Sequence, residues 1–216
     1  MDIENWITTV LERLKYEFKS KLLFVGLQGS YCRGEATKNS DIDLVVILDK
    51  LDFEDLKKYH NLIEQMPNKE KACGFISGKK EIENWSKSDL FQFFYETRNL
   101  YGELKNIITP PNKSDIKLAV KIGAQNLYHA SVHSFIHSSN YPSDLVNLYK
   151  NATFIIQTKY FLKNNKYIPQ RIELKKHLVG IEREILEVDK TKITNASSIE
   201  MQNLYEKIIK FSMNNI

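Results

Sequence analysis

Two aspartates separated by one apolar residue, Asp41 and Asp43, are the side chains of this sequence best placed for chemistry. They open an apolar run that ends at Leu48 and has the pattern of a β-strand covered on both faces. Because side chains alternate along a strand, both carboxylates point to the same side. Two like charges beside an apolar interior repel each other, and a divalent cation removes that cost. Mg²⁺ binds one or two carboxylates together with substrate phosphates, so the pair predicts a magnesium site.

A second signal lies upstream, where the apolar run at residues 22–27 also has the pattern of a strand and is followed by Gly29 and Ser30. Glycine permits a sharp turn and lets a ligand approach the main chain. Free N–H groups at the start of a short helical segment, with the Ser30 hydroxyl, suit an anion. The loop that follows adds Arg33 and Ser40. The sequence therefore predicts a phosphate-binding turn joined to the carboxylate pair by one short loop.

The two signals together resemble the signature of the nucleotidyltransferase superfamily, which includes DNA polymerase β, the MNT-type enzymes and the aminoglycoside nucleotidyltransferases. That signature is an apolar strand ending in Gly-Ser, then a short gap, then Asp-apolar-Asp-apolar in a second strand. Gly29 and Ser30 match its first part, and Asp41 and Asp43 match its second part. The resemblance implies that both aspartates are catalytic and hold Mg²⁺ on a nucleoside triphosphate, whose phosphates the Gly-Ser turn binds.

The resemblance also implies the reaction, an in-line attack of an acceptor hydroxyl on the α-phosphate with pyrophosphate leaving. The expected activity is transfer of AMP from ATP, or of another nucleotide, to a hydroxyl of a small molecule of aminoglycoside type or of a protein. Ser40 is a further candidate for a phosphate hydrogen bond. For Arg33, a contact to phosphate and a solvated position on the helix are equally good interpretations.

One feature departs from the family pattern, because a third carboxylate is expected on the strand beside the aspartate strand. The sequence ACGFIS at residues 72–77 is the candidate for that strand, and it contains no acid. Glu70, Asp89 and Glu173 are substitute candidates, although ordinary surface charge explains the first two better. The missing acid keeps an alternative open, a catalytically silent module that binds nucleotide only or regulates a partner as an antitoxin does.

The aspartate pair has two rival interpretations, a cap at Asp41 with an edge charge at Asp43, or an Asp-x-Asp glycosyltransferase motif. The upstream Gly-Ser turn makes the first less favourable. The second is disfavoured because such enzymes use a larger sugar-nucleotide domain than the N-terminal half offers. The aromatic run at residues 91–95 is more typical of core than of a base-stacking platform.

Composition limits the class of protein. A chain of 216 residues can form one large domain or two small ones with a sizeable core. Its formal charge of +4 suits an anionic small substrate and disfavours a dedicated nucleic-acid binder. Cys32 and Cys73 lack metal-ligand spacing, so we expect reduced thiols and a cytoplasmic protein. We expect no signal peptide and no membrane span, and a homo-oligomer is left open.

These elements predict an α+β fold in two domains. Residues 1–108 are expected to form the nucleotidyltransferase domain, a small mixed sheet flanked by helices, and residues 109–216 an all-α antiparallel bundle. Ser114 is the expected cap of the first bundle helix. Predicted helices cover residues 3–18, 53–66, 115–137, 143–162 and 198–213, with an interrupted one at 170–188. Predicted strands cover residues 22–27, 41–48, 72–77 and 90–95, the last followed by a turn at 96–99.

In the predicted bundle, His129, His133 and His137 recur every four residues and therefore share a helix face. Such spacing can bind a metal, but no glutamate lies between the first two, so the zinc-protease motif is absent. A polar stripe that lines the bundle is the favoured interpretation. Arg171 and His177 loosely resemble the Arg-to-His spacing of HEPN ribonucleases, but six positions apart they do not share a helix face well.

Overall fold

The structure, a computed structural model, describes residues 2–216. It divides into two compact units. The sheet unit comprises the chain up to Ser86 together with Phe93–Pro110, and the helical unit comprises Lys87–Gln92 and Pro111–Ile216. Each unit has its own hydrophobic core. The boundary between residues 108 and 109 stays a prediction.

The N-terminal half of the chain mixes helices with strands, and the C-terminal half is helical. The strands are β1 (Leu22–Gln28), β2 (Ile42–Leu48), β3 (Ala72–Gly78) and β4 (Arg98–Tyr101). The helices are α1 (Ile3–Phe18), α2 (Gly29–Arg33), α3 (Phe53–Glu64), α4 (Lys79–Glu83), α5 (Leu90–Tyr95), α6 (Lys113–His137), α7 (Tyr141–Asn164), α8 (Arg171–Lys175), α9 (Gly180–Leu186), α10 (Lys190–Thr194) and α11 (Ser198–Met213).

The four strands form one mixed sheet in the order β3-β2-β1-β4. β1 pairs antiparallel with β2 and with β4, whereas β2 and β3 are parallel. A parallel pair needs a crossover connection, which α3 provides. The predicted α+β fold with a small mixed sheet and a helical C-terminal part is confirmed.

One face of the sheet is covered by α1 and α3. Ile42, Leu44 and Val46 alternate along β2 onto this face and are completely buried or nearly so. From α1, Trp6 and Leu14 belong to the same core. The apolar spacing along residues 3–18 thus positions the helix that holds β2 in place, as the sequence predicts.

The run at residues 90–95 is a helix, α5, and the predicted strand there is wrong. In a strand, Phe91 and Phe93 would point to the same face, but in a helix they point to opposite sides. Phe91 packs edge-on against Phe161 at a centroid distance of 5.2 Å, and Phe93 against Phe75 at 5.5 Å. Aromatic strand propensity depends on packing, and packing on two sides favours the helix.

The fourth strand is instead β4, where the sequence predicts a turn at residues 96–99. β4 extends the sheet beyond β1, with Gly26 opposite Asn99 and Leu27 opposite Arg98. The strand is short and largely exposed, so it lacks the apolar alternation by which strands are recognised in a sequence.

The helical unit is built on α6, α7 and α11, whose core includes Tyr149, Ile156 and Phe211. The three long helices lie where the sequence predicts them, apart from a few terminal residues. The cap of α6 is Asn112 and not Ser114, because the Asn112 side chain accepts from two backbone N–H groups while Asp115 bonds back to the Asn112 N–H. No helix within residues 2–216 combines the length and apolar character needed to cross a membrane.

Arg171 fixes the C-terminal end of α9. Its Nε donates to the Leu186 carbonyl at 3.0 Å and its Nη2 to the Ile185 carbonyl at 3.2 Å. Cationic side chains at helix C-termini satisfy carbonyls that the helix leaves free. These hydrogen bonds make Arg171 a structural clamp within the interrupted helical stretch that the sequence predicts.

Candidate active site

The antiparallel register of β1 and β2 brings the two sequence signals together. Gln28, the last residue of β1, lies opposite Asp43, the second residue of β2. Gly29 and Ser30 follow at once as the first residues of α2. The turn and the carboxylate are therefore neighbours across one pair of strands.

Gly29 and Asp43 are in closer contact than the register alone requires. Gly29 has a φ of +67°, a conformation that favours glycine. A Cβ added to this residue would lie 1.8 Å from the Oδ2 atom of Asp43 and 2.7 Å from its Cγ. The Asp43 carboxylate thus occupies the place where any other side chain would begin.

The two aspartates differ in their surroundings. Asp43 is half-buried within β2, whereas Asp41 lies just before the strand and is exposed. The strand begins at Ile42, one residue later than the apolar run suggests. Between them Ile42 is fully buried and fixes the local backbone against the core.

The strand next to β2 carries no acid, as the sequence indicates. β3 places Cys73 beside Asp43 in the parallel register. Glu70 is exposed in a short 3₁₀ turn before β3, and Asp89 and Glu173 belong to the helical unit. Glu173 is ion-paired with Lys176.

Asp41 and Asp43 are the two acidic side chains at the start of β2. Within residues 2–216 no group of three or more His, Cys, Asp or Glu side chains is arranged to hold a metal ion. Hard carboxylate oxygens suit Mg²⁺, which completes its shell with water and phosphate oxygens rather than with an all-protein cage. The donor set at Asp41 and Asp43 therefore fits a magnesium ion that arrives with a nucleotide.

Arg33, at the end of α2, is held between two glutamates. Its Nε donates to Glu35 at 3.0 Å and its Nη1 to Glu96 at 3.3 Å. The Arg33 and Glu96 side chains are only 16% and 10% exposed. Sequence reasoning missed Glu96, because its partner is 63 residues away and no local pattern links the two.

Two further polar residues shape the turn. Gln28, which sequence reasoning also missed, donates from Nε2 to the Thr97 hydroxyl at 2.7 Å and so ties the end of β1 to the segment before β4. Ser40 accepts a hydrogen bond from the Thr37 N–H at 2.8 Å and closes the loop before β2. The role of Ser40 toward phosphate stays a prediction.

The histidine stripe lies on α6, far along the chain from these residues. His133 and His137 have ring centroids 5.0 Å apart, and all three histidines are exposed. His177, the second half of the loosely HEPN-like pair, lies 3.4 Å from Glu173. Arg171 clamps α9 through the carbonyls at its C-terminal end.

Comparison with known families agrees with the geometry. Residues 7–99, which contain the complete β1–β2 motif, match the model of the nucleotidyltransferase domain family. Residues 7–99 thus form a domain of the nucleotidyltransferase family, and they make up less than half of the chain. The predicted superfamily is therefore confirmed for this part of the chain.

One relative within the superfamily is named "Putative protein adenylyltransferase MJ1379", from Methanocaldococcus jannaschii. It is 41% identical over 73 residues, which are 32% of this chain and 66% of the relative, slightly less than two thirds. The similarity therefore concerns about one third of this chain.

Solved structures show the fold. The spectinomycin adenyltransferase AAD(9) of Enterococcus faecialis, determined with ATP and spectinomycin, matches with a TM-score of 0.58 and 16% identity over 95% of this chain and 98% of that one. A toxin–antitoxin structure with AMP-PNP matches 60% of this chain and 94% of its own, at 21% identity and a TM-score of only 0.34.

Proposed function

We propose that this protein is a Mg²⁺-dependent adenylyltransferase that moves AMP from ATP to a hydroxyl group of a small molecule or a protein. Pyrophosphate is the second product. Among small molecules, an aminoglycoside-like compound is the acceptor class implied by the resemblance to drug-modifying relatives. The match to the named protein adenylyltransferase supports a protein acceptor as the second choice.

One observation carries the proposal, the contact of the Gly29 backbone with the Asp43 carboxylate. A phosphate chain that lies along the Gly29–Ser30 turn is then next to the carboxylate oxygens. Metal-bound phosphates need both a backbone that they can approach closely and carboxylates for the cation. The two requirements meet at one place.

Asp41 and Asp43 would hold the magnesium ion, and because Asp41 is exposed, phosphate oxygens and water can reach the ion from its side. A bound Mg²⁺ supplies charge neutralisation on the phosphates and a template for the attacking and leaving oxygens. Gly29 keeps the turn open, since any Cβ there would collide with Asp43. Arg33, which Glu35 and Glu96 hold in place, offers a guanidinium near the same turn.

The test is pyrophosphate release from labelled ATP with Mg²⁺ and a panel of hydroxylated small molecules and proteins. The Asp43→Asn variant should lose the activity. Asp49→Asn is the matched control, because Asp49 is an exposed aspartate just beyond the other end of β2. If no acceptor supports pyrophosphate release and metal-dependent ATP binding is absent, the proposal is wrong.

The second candidate function is a silent nucleotide-binding or antitoxin-like module. The observation that favours it is Cys73, which stands beside Asp43 on the strand where a third acid is expected. Such a module would bind Mg-ATP tightly and form no product with any acceptor. Calorimetric titration with Mg-ATP, run beside the pyrophosphate assay, separates the two functions.

A further inference from the structure

A cavity of about 450 Å³ lies within the helical unit, and none of its described lining residues belongs to the sheet unit. The segment at residues 88–92 forms one wall, and α6 and α7 form the others. Cavities of a few hundred Å³ that mix apolar walls with a few polar groups are typical of small-molecule sites.

The strongest sign of a ligand is the side-chain amide of Gln92, which lines this cavity. Its Nε2 atom is buried and has no hydrogen-bond partner among residues 2–216. Buried donors are nearly always paired, because an unpaired one loses its water without compensation. Gln157, which also has one unpaired buried atom, is different, since its Nε2 donates to the Ile168 and Pro169 carbonyls.

The charges of the lining decide which molecules fit. Among the described residues that line the cavity, Asp89 is the one ionisable side chain, and none is a lysine, arginine or histidine. An anion would therefore be repelled, whereas a cationic group near Asp89 would be attracted. Asn126 on α6 and Asn151 on α7 add exposed amides that can both donate and accept.

The apolar part of the lining comes from buried Phe91, Leu127 and Ile155. Small residues on α6 keep the space above them open, namely Ala119, Gly123 and Ala130. A ring or a short hydrocarbon would cover the apolar side chains while its polar groups meet the amides. The lining thus has the mixed character of a specific site.

We propose that this cavity binds a neutral or cationic small molecule whose carbonyl or hydroxyl oxygen accepts a hydrogen bond from the Gln92 amide. The proposal goes beyond the transfer reaction and does not depend on it, because binding is measured with no nucleotide present. A failure to bind the probes therefore does not contradict the proposed nucleotide transfer, and a failure of nucleotide transfer does not contradict binding in this cavity.

The test uses the full chain and three matched sets of probes, cyclic polyols, their amino derivatives and their carboxylate derivatives. Binding is followed by NMR through the side-chain ¹⁵NH₂ signal of Gln92, which the Gln92→Leu variant assigns. Neutral and amino probes should shift this signal and bind about tenfold more tightly than the carboxylates. The Asp89→Asn variant should remove the preference for amino over neutral probes.

Gln92→Leu should weaken binding about three- to tenfold, the effect of one lost hydrogen bond. Its melting temperature should stay the same or rise, because the change removes an unpaired buried donor. Gln125→Leu, at an exposed position of α6 that does not line the cavity, is the control and should bind as the wild type does.

Three results would overturn the proposal. The first is that no neutral or amino probe binds at millimolar concentration, or that the carboxylates bind as well. The second is unchanged probe binding by Gln92→Leu. The third is a clear fall in the melting temperature of Gln92→Leu, which would mean that the amide supports the fold and not a ligand.

Discussion

The sheet unit and the helical unit hold their polar groups in different ways. The sheet unit has 15 basic and 17 acidic side chains, a net charge of −2, and the helical unit has 16 and 10, a net charge of +6. In the sheet unit, main-chain register sets Asp43 against Gly29. In the helical unit, side chains reach one another across helices, as Tyr205 reaches Ser134. Substitution of Asp43 should therefore affect mainly chemistry, and substitution of Tyr205 mainly stability.

The largest effect is expected for Asp43→Asn in the sheet unit. Loss of one metal-binding charge should lower the rate of nucleotide transfer about 100- to 1000-fold, the range seen when one electrostatic contact to a transition state is removed. The free energy of unfolding should change by less than about 1 kcal/mol, because the residue is half-buried and next to another acid. Urea unfolding beside the pyrophosphate assay checks both. A large loss of stability would contradict the contrast between the two units.

The second-largest effect is expected for Gly29→Ala, which should lower both stability and Mg-ATP binding. The added Cβ would lie 1.8 Å from Asp43 Oδ2, and alanine disfavours the φ of +67°. We expect stability to fall by about 1–3 kcal/mol, the usual cost of a strained backbone conformation. Mg-ATP binding should weaken as the carboxylate is displaced. Gly34→Ala is the control, since it has a similar φ of +71° but nothing within 4 Å of its added Cβ.

Tyr205→Phe tests the helical unit. The Tyr205 hydroxyl lies 2.6 Å from Ser134 Oγ, which donates to Asp144 Oδ2 at 2.8 Å, so the tyrosine is the donor in this chain of hydrogen bonds. Burial raises the pKa of Tyr205, as expected for a phenol inside a core. The variant should lose about 1 kcal/mol of stability and keep its transfer rate. Tyr16→Phe, on an exposed tyrosine of the other unit, should change neither.

The smallest effect concerns pH. Burial alone would raise the pKa of Asp55, but hydrogen bonds from Lys21 Nζ and the Asp52 N–H, with the lysine charge, bring it below its ordinary value. Because the pKa of Asp55 is lower in the folded state than in the unfolded state, its ionisation stabilises the fold. This stabilisation is present above the unfolded pKa of about 3.9 and is lost as the pH falls through the folded pKa. Asp55→Asn should thus be less stable than the wild type at pH 7, and this difference in stability should disappear toward pH 2.

Denaturant midpoints at several pH values check this prediction, with Glu54→Gln as the control. Glu54 pairs with Lys57 at the surface, and its side chain is 72% exposed. Exposed pairs of this kind contribute little. A difference between wild type and Asp55→Asn that persists unchanged at pH 2 would contradict the assigned cause.

The part of the site that could be predicted rests on short-range spacing. Gly29 and Asp43 are joined by one loop between adjacent strands, so a local pattern is enough to bring them together. Likewise, the helix at residues 3–18 could be predicted because its apolar residues recur at helical spacing.

Apart from the cap of α6, the misses depend on distant partners. The Arg33–Glu96 ion pair and the Gln28–Thr97 hydrogen bond span more than sixty residues. β4 is recognisable only from its pairing with β1, and α5 only from the two sides on which its aromatic rings pack. Periodicity reports which face of an element is apolar, but not which element covers it.

The strand order has a consequence for synthesis on the ribosome. β1 is an inner strand whose second neighbour, β4, is encoded about seventy residues later. At roughly 5–20 residues per second, one edge of β1 stays open for about 4–14 seconds of translation. During that interval its unpaired amides can recruit a strand from another nascent chain. A slow codon cluster between β3 and β4 would lengthen this exposure and raise the demand for chaperones.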